Sequence, residues 1–148
     1  MTFGVCMRIF CRYNLTAAQM GYSSTTLVAR TLRGGLGALQ TVDDKTPLAL
    51  STSSPDDPEV VVLSPVLDGG WTLLGEPNKW VSVSPQRFLD VQSSDKSASA
   101  VLNGADGEVV TVVFQDPHGQ ISSTQCKIGT AGTVTVKVTA GESTGACA

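Results

Sequence analysis

From residue 46 onward the chain is a succession of short apolar runs cut by turn residues, and within the runs apolar and polar positions alternate. In "TVTVKV" (133–138), Val134, Val136 and Val138 fall on one face of an extended segment, and Thr133, Thr135 and Lys137 fall on the other. "EVVTVVFQ" (108–115) turns Val110, Val112 and Phe114 inward, while Val109, Thr111 and Val113 on its other face are apolar enough for both sides to be covered. "DPHG" (116–119) has Asp, Pro and Gly at the first, second and fourth places of a type I turn, so "EVVTVVFQ" and "ISSTQCKI" are expected to form a hairpin. "PLALSTS" (47–53), "EVVVLSPV" (59–66), "WTLLG" (71–75), "KWVSVS" (79–84), "RFLDVQ" (87–92) and "SASAVL" (97–102) are further strand candidates.

Turn signals at "SSPDDPE", "LDGGW", "GEPN", "NGADGE" and "GTAG" separate these segments at strand-length intervals. About eight to nine short strands result, enough for an all-β, antiparallel sandwich. The sandwich is expected over 46–140, with a flexible tail at 141–148. No fixed-period repeat emerges.

Residues 1–40 differ in kind. They carry Arg8, Arg12, Arg30 and Arg33 and no Asp, Glu or Lys, whereas the rest of the chain sets all thirteen carboxylates against six bases, a balance of −7. An Arg-bearing, acid-free leader has the composition of an organelle transit peptide, or of the remnant of a preceding domain. A secretory signal fits less well, because Arg8 interrupts the apolar stretch "FGVCMRIFC". "RGGLGALQ" (33–40) lacks the Gly-Lys-Ser/Thr ending of a phosphate loop and reads as a flexible junction. An acidic body without a basic stripe repels phosphate backbones, which argues against nucleic-acid binding. No run of eighteen apolar residues marks a membrane span.

The chemistry on offer is sparse. Cys6, Cys11, Cys126 and Cys147 contain no C-x-x-C pair, and His118 is the only histidine, so neither a metal site nor a cofactor is expected. Cys126 reads as a small core residue with the other thiols free; two disulfides in any of three connectivities are the alternative for an exported chain. "NLT" at Asn14 matches the N-glycosylation sequon, which has meaning only for an exported chain. His118 has a turn role in "DPHG", and the carboxylates sit mostly in turns, leaving Glu76 and Asp90 beside the aromatic stretch as the acids hardest to set aside.

Trp71 leads "TLL" and reads as core. The alternation of "KWVSVS" puts Val81 and Val83 on one face and Trp80, Ser82 and Ser84 on the other, so Trp80 faces outward if the valines face the core. An exposed indole beside the Asn78 amide and Glu76 is a surface for stacking on a sugar ring and bonding its hydroxyls. The competing reading packs Trp80 against another chain.

The stretch "EVVVLSPVLDGGWTLLGEPNKWVSVSPQRFLDV" through "GADGEVVTVVF" resembles the β-sandwich that follows the catalytic barrel in α-galactosidase-like and raffinose-synthase-like glycoside hydrolases. The matching pieces are the strand ending Ser64-Pro65-Val66, the "LLGEPNKW" hairpin, "VSPQRF" and the late Gly-Glu-Val-Val strand, over roughly 46–139. In that family the catalytic aspartates lie in the barrel, so the resemblance implies an accessory domain or a piece of a larger enzyme and transfers no catalytic residue. The expectation is a non-catalytic accessory or binding module. Its partner would be a carbohydrate or a neighbouring catalytic domain, and its contact residues Trp80, Asn78 and Glu76. The alternatives are a protein-interaction sandwich with no small ligand, and a small hydrolase using His118 or a carboxylate pair.

Overall fold

The computed structural model describes residues 6–7, 10–52 and 59–148, and the side chains of 14–50 and 59–148. The turn expected in "SSPDDPE" lies almost wholly outside these residues, as do the side chains of Cys6, Arg8, Cys11 and Arg12. Among the described residues the helical segments are single turns, and the backbone is otherwise organised by antiparallel strands. Among the described residues no helix is long and apolar enough to cross a membrane.

Two compact units divide between Pro65 and Val66. The first contains β1 (Cys6–Met7), β2 (Phe10–Leu15), β3 (Leu27–Thr31), β4 (Leu39–Val42), β5 (Leu48–Thr52) and β6 (Val61–Pro65). They form two three-stranded sheets, β1-β2-β5 and β4-β3-β6. Ala17, Leu27, Ala29, Val42 and Leu48 make its core. The Arg-bearing segment expected as a leader is thus built into strands of this unit. β5 pairs with β2 from Cys11↔Thr52 to Leu15↔Leu48, and β6 pairs with β3 from Leu27↔Pro65 to Thr31↔Val61. "RGGLGALQ" spans the turn of the β3–β4 hairpin and the first residues of β4 rather than a junction. An absence of acids describes a segment's charge; strand pairing follows apolar runs such as Leu27-Val28-Ala29, which is buried throughout.

The second unit holds β7 (Thr72–Gly75), β8 (Phe88–Ser93), β9 (Ser97–Asn103), β10 (Val109–Gln115), β11 (Ile121–Lys127), β12 (Thr133–Thr139) and β13 (Ala146–Cys147). One sheet runs β11-β10-β7 and the other β13-β12-β9-β8, and both contribute to one core. Hairpins β8–β9, β10–β11 and β12–β13 fall alternately in the two sheets, so this unit is an antiparallel sandwich of seven strands, narrower than the one expected over 46–140: the strands expected at 47–53 and 59–66 supply β5 and β6 of the first unit. Val134, Val136 and Val138 are buried, while on the expected polar face Thr133 and Lys137 are exposed and Thr135 is half-buried. In β10 the second face is covered only in its later half: Val113 is fully buried and Val109 is exposed. Trp71 is at the centre, its Nε1 donating to Ser94 O at 2.8 Å and its ring edge-to-face with Phe114 at 6.4 Å.

Two devices fasten the ends of this unit. Asp116, 3% exposed, accepts the backbone N–H groups of His118, Gln120 and Gly141, tying the β10–β11 turn to the turn after β12. Burial alone would raise its pKa, but the three N–H bonds favour the anion and hold it below the ordinary carboxylate value. The second device is a disulfide between Cys126 of β11 and Cys147 of β13. Residues 141–148 are therefore not a free tail. Cys126 is a core residue as read, yet it is bonded. Cys6 and Cys11 face each other across β1 and β2 as backbone partners.

Two outcomes test these fastenings. Because the folded pKa of Asp116 is depressed, its contribution is fully present above the unfolded value near 3.8 and is lost as pH falls through the folded value. Asp116→Asn should therefore lower stability at neutral pH and flatten the acid limb of a stability–pH profile measured by urea unfolding. Cys147→Ser should cost about 2–4 kcal/mol in the same assay, an effect that reducing agent reproduces in the wild type.

Candidate functional site

β7 ends at Gly75 with φ +72°, a conformation that turns the chain out of the sheet and that side chains resist. A Cβ there would strike Ser82 O, because the following loop folds back over the glycine. Glu76 N–H donates to Ser82 O at 2.8 Å, Lys79 N–H to Glu76 O at 3.1 Å, and Ser82 Oγ to Lys79 O at 3.2 Å. Arg87 N–H and Phe88 N–H both reach Ser84 O, which closes the loop onto β8. "KWVSVS" is thus a looped segment and not a strand. Its polarity is also reversed from the strand reading: Ser82 is buried, whereas Val81 is 66% exposed, Val83 40% and Trp80 76%. The expectation that Trp80 faces solvent holds, but for a different reason. The chain curls so that the small hydroxyl residue fills the inside of the loop and the large apolar residues lie outside it.

Beneath the loop is an ionic base. Arg87 Nε donates to Glu76 Oε2 at 3.1 Å, Nη1 to Asn103 O at 2.6 Å and to Glu108 Oε2 at 3.0 Å, and Nη2 to Glu108 Oε1. Lys79 Nζ lies 2.7 Å from Glu76 Oε1. Glu108 also accepts Ala105 N–H at 3.2 Å, and Asn103 Nδ2 donates to Gln86 O at 3.1 Å. The loop after β7 is in this way locked to the turn between β9 and β10. Gly104 makes room for the contact, since a Cβ there would strike both the Glu108 carboxylate and the Arg87 guanidinium. The hydrogen bond from Arg87 holds the Glu108 carboxyl below its ordinary pKa, and the same bond holds Arg87 above its own.

These groups line an open depression of about 300 Å³, in which Ser84, Gln86 and Asn103 supply polar atoms and Val81 an apolar wall. Lys79 and Val81, on either side of Trp80, line it, and the indole itself does not. Of the three residues expected to contact a ligand, Trp80 and Asn78 are exposed, while Glu76 is 8% exposed and held by Arg87 and Lys79. Glu76 therefore acts first as an anchor of the loop. His118 is at the exposed tip of the β10–β11 turn, where its backbone N–H serves Asp116. Asp90 lies exposed on β8, accepting from Gln92 Nε2. Among the described residues no three His, Cys, Asp or Glu side chains are grouped to hold a metal.

Glu76 and Glu108 do make a carboxylate pair within one depression. A glycosidase acid must keep its proton near neutrality, which demands a raised pKa, and Glu108 is pushed in the opposite direction by a guanidinium that bonds both carboxylates. The arrangement suits polar recognition and rigidity better than proton transfer. Comparison with known proteins returns no matching family model, no matching curated protein and no matching solved structure.

Arg87→Met removes the guanidinium's bonds to Glu76, Asn103 and Glu108 and leaves the Glu76 carboxylate with Lys79. Urea unfolding should show a loss near the lower end of the roughly 1.5–3 kcal/mol of hydrogen bonds to charged groups, because the pairs are partly exposed. Iodide quenching should show greater access to Trp80 with Trp71 still shielded.

Proposed function

We propose that residues 66–148 are a non-catalytic binding module and that its ligand is a carbohydrate. The single observation that carries this reading is Trp80, an indole 76% exposed on a loop whose base is fixed by the Arg87 ion pairs. Burying such a ring against a ligand is favourable, and a fixed loop loses little conformational freedom when it binds. The flat apolar face of a sugar ring stacks on indole, and its hydroxyls call for amide and hydroxyl partners like those of Asn78, Ser84, Gln86 and Asn103. A depression of about 300 Å³ is at the small end of ligand sites, a size suited to one or two sugar rings. The resemblance to a sandwich appended to glycoside-hydrolase barrels agrees with this ligand class and suggests a catalytic domain as the neighbour the module serves.

A second reading rests on Val81 and Val83, which flank the buried Ser82 and are exposed in the same loop as Trp80. An exposed aromatic anchor with further apolar side chains on one loop suits a protein-docking surface. Under this reading the partner covers the valines as well as the indole.

Titrating the full chain with a panel of soluble glycans, followed by amide and indole chemical shifts, separates the two. Carbohydrate binding predicts shifts at Trp80, Asn78 and Asn103 for one glycan class and a loss of at least about tenfold in affinity in Trp80→Ala, roughly 1.4 kcal/mol. Glycans that leave the Trp80 indole unmoved would remove the carbohydrate reading. A protein partner would instead be weakened by Val83→Ser, at an exposed valine that does not line the depression, as well as by Trp80→Ala.

A further inference from the structure

We propose that Asn14 is an acceptor site for an N-linked glycan and that the chain matures in an oxidising, glycosylating compartment. Asn14-Leu15-Thr16 has the acceptor spacing with no proline at the middle position. The fold places the tripeptide favourably. Asn14 pairs with Ala49 across β2 and β5, and both are exposed. The next pair, Leu15↔Leu48, turns to the other face, where Leu48 is part of the core. Directly opposed residues of antiparallel strands project to the same side, so a glycan on Asn14 extends into solvent from the face opposite the core.

An independent observation points to the same compartment. The Cys126–Cys147 bond joins the buried Cys126 to an exposed cysteine near the end of the chain. Structural disulfides of this kind form and persist where proteins are exported and are rare in the reducing cytosol. An oxidising lumen is also where oligosaccharide is transferred to asparagine.

In the transfer, the side-chain nitrogen of Asn14 attacks the anomeric carbon of a lipid-pyrophosphate-linked oligosaccharide. The anomeric C–O bond breaks, a C–N bond forms, the lipid pyrophosphate leaves with the bonding electrons, and one amide proton passes to a base of the transferase. The folded chain constrains the timing. Thr16 Oγ1 accepts Gln19 N–H at 3.2 Å and Thr16 N–H donates to Gln19 Oε1 at 2.9 Å, so the hydroxyl of the acceptor tripeptide is engaged in a closed turn. Transfer therefore precedes closure of that turn, on the extended chain.

The test is expression of the full chain behind an appended secretion signal in a eukaryotic secretory cell, with glycan occupancy read by peptide mass mapping on all of the product, folded or not. The expected result is a glycosidase-sensitive mass on more than half of the chains, located at Asn14. It should be absent in Asn14→Gln and in Thr16→Ala and retained in Thr16→Ser, with Cys126 and Cys147 joined in non-reducing maps. An unmodified Asn14 in the disulfide-bonded product overturns the proposal, and so does a product in which Cys126 and Cys147 remain free thiols.

Discussion

The guanidinium of Arg87 is the constraint on which the candidate surface depends. The residues between β7 and β8 have no sheet partner, and their backbone is held by a few bonds that close the loop on itself. Beside the bonds of Asn103 to Gln86 O and Arg87 O, that loop is tied to the rest of the unit by one planar cation that reaches Glu76 at the start of the loop, Asn103 O at the end of β9 and both oxygens of Glu108 beside β10. Arginine suits this role because its donors are fixed in a fork, so one side chain specifies the relative position of three chain segments. A lysine at the same place would supply a charge without that geometry. The pairs are only partly shielded from solvent, with side-chain exposures of 15% for Arg87 and 32% for Glu108, so their main contribution is positional rather than a large gain in stability.

Because the base is fixed, the loop can turn apolar groups outward without collapsing onto the sandwich. A flexible loop carrying Trp80, Val81 and Val83 would be expected to fold these residues against the nearest apolar surface. Here Ser82 occupies the interior instead, bonded through its hydroxyl and carbonyl, and the chain on either side of it has nowhere to turn but out. The core below has no need of the exposed indole. Trp71 already fills the centre against Phe114 with its N–H satisfied by Ser94 O. The two tryptophans thus divide the work, one holding the sheets together and the other standing free on the surface.

How much of this could be read in the sequence depended on the range of the interaction involved. Alternation of Val134, Val136 and Val138, and the Asp-Pro-His-Gly turn joining β10 to β11, are set within a few residues and were correctly anticipated. "KWVSVS" has the same alternation, yet it is bracketed by Gly75, Pro77 and Pro85, and the positive φ at Gly75 takes the chain out of the sheet before the pattern can be used. Period alone did not separate a strand from a loop that buries a serine. The Arg87–Glu108 pair spans 21 positions and has no local signature; the small residue Gly104, which leaves room for it, looked like part of an ordinary turn. In the first unit, charge composition is independent of the apolar runs by which β2 pairs with β5 and β3 with β6.

The disulfide bears on how the second unit can work as a separate element of structure. β13 is only two residues long and pairs with β12 at Val136 and Lys137, too little ladder to hold the chain end by itself. The bond from Cys147 to Cys126 carries it across to β11, so that the β11 and β13 borders of the two sheets are linked covalently. An open sheet edge invites pairing with other chains, and β13 together with this link protects the middle of β12 from it. On the opposite side β8 remains an edge, broken by a bulge between Phe88 and Asp90 and bearing the charge of Asp90, both of which discourage edge-to-edge association. Leu89 on β8 and Val109 on β10 are single exposed apolar residues on strands, whereas Trp80, Val81 and Val83 fall together in the loop after β7, where Arg87 sets how they are displayed.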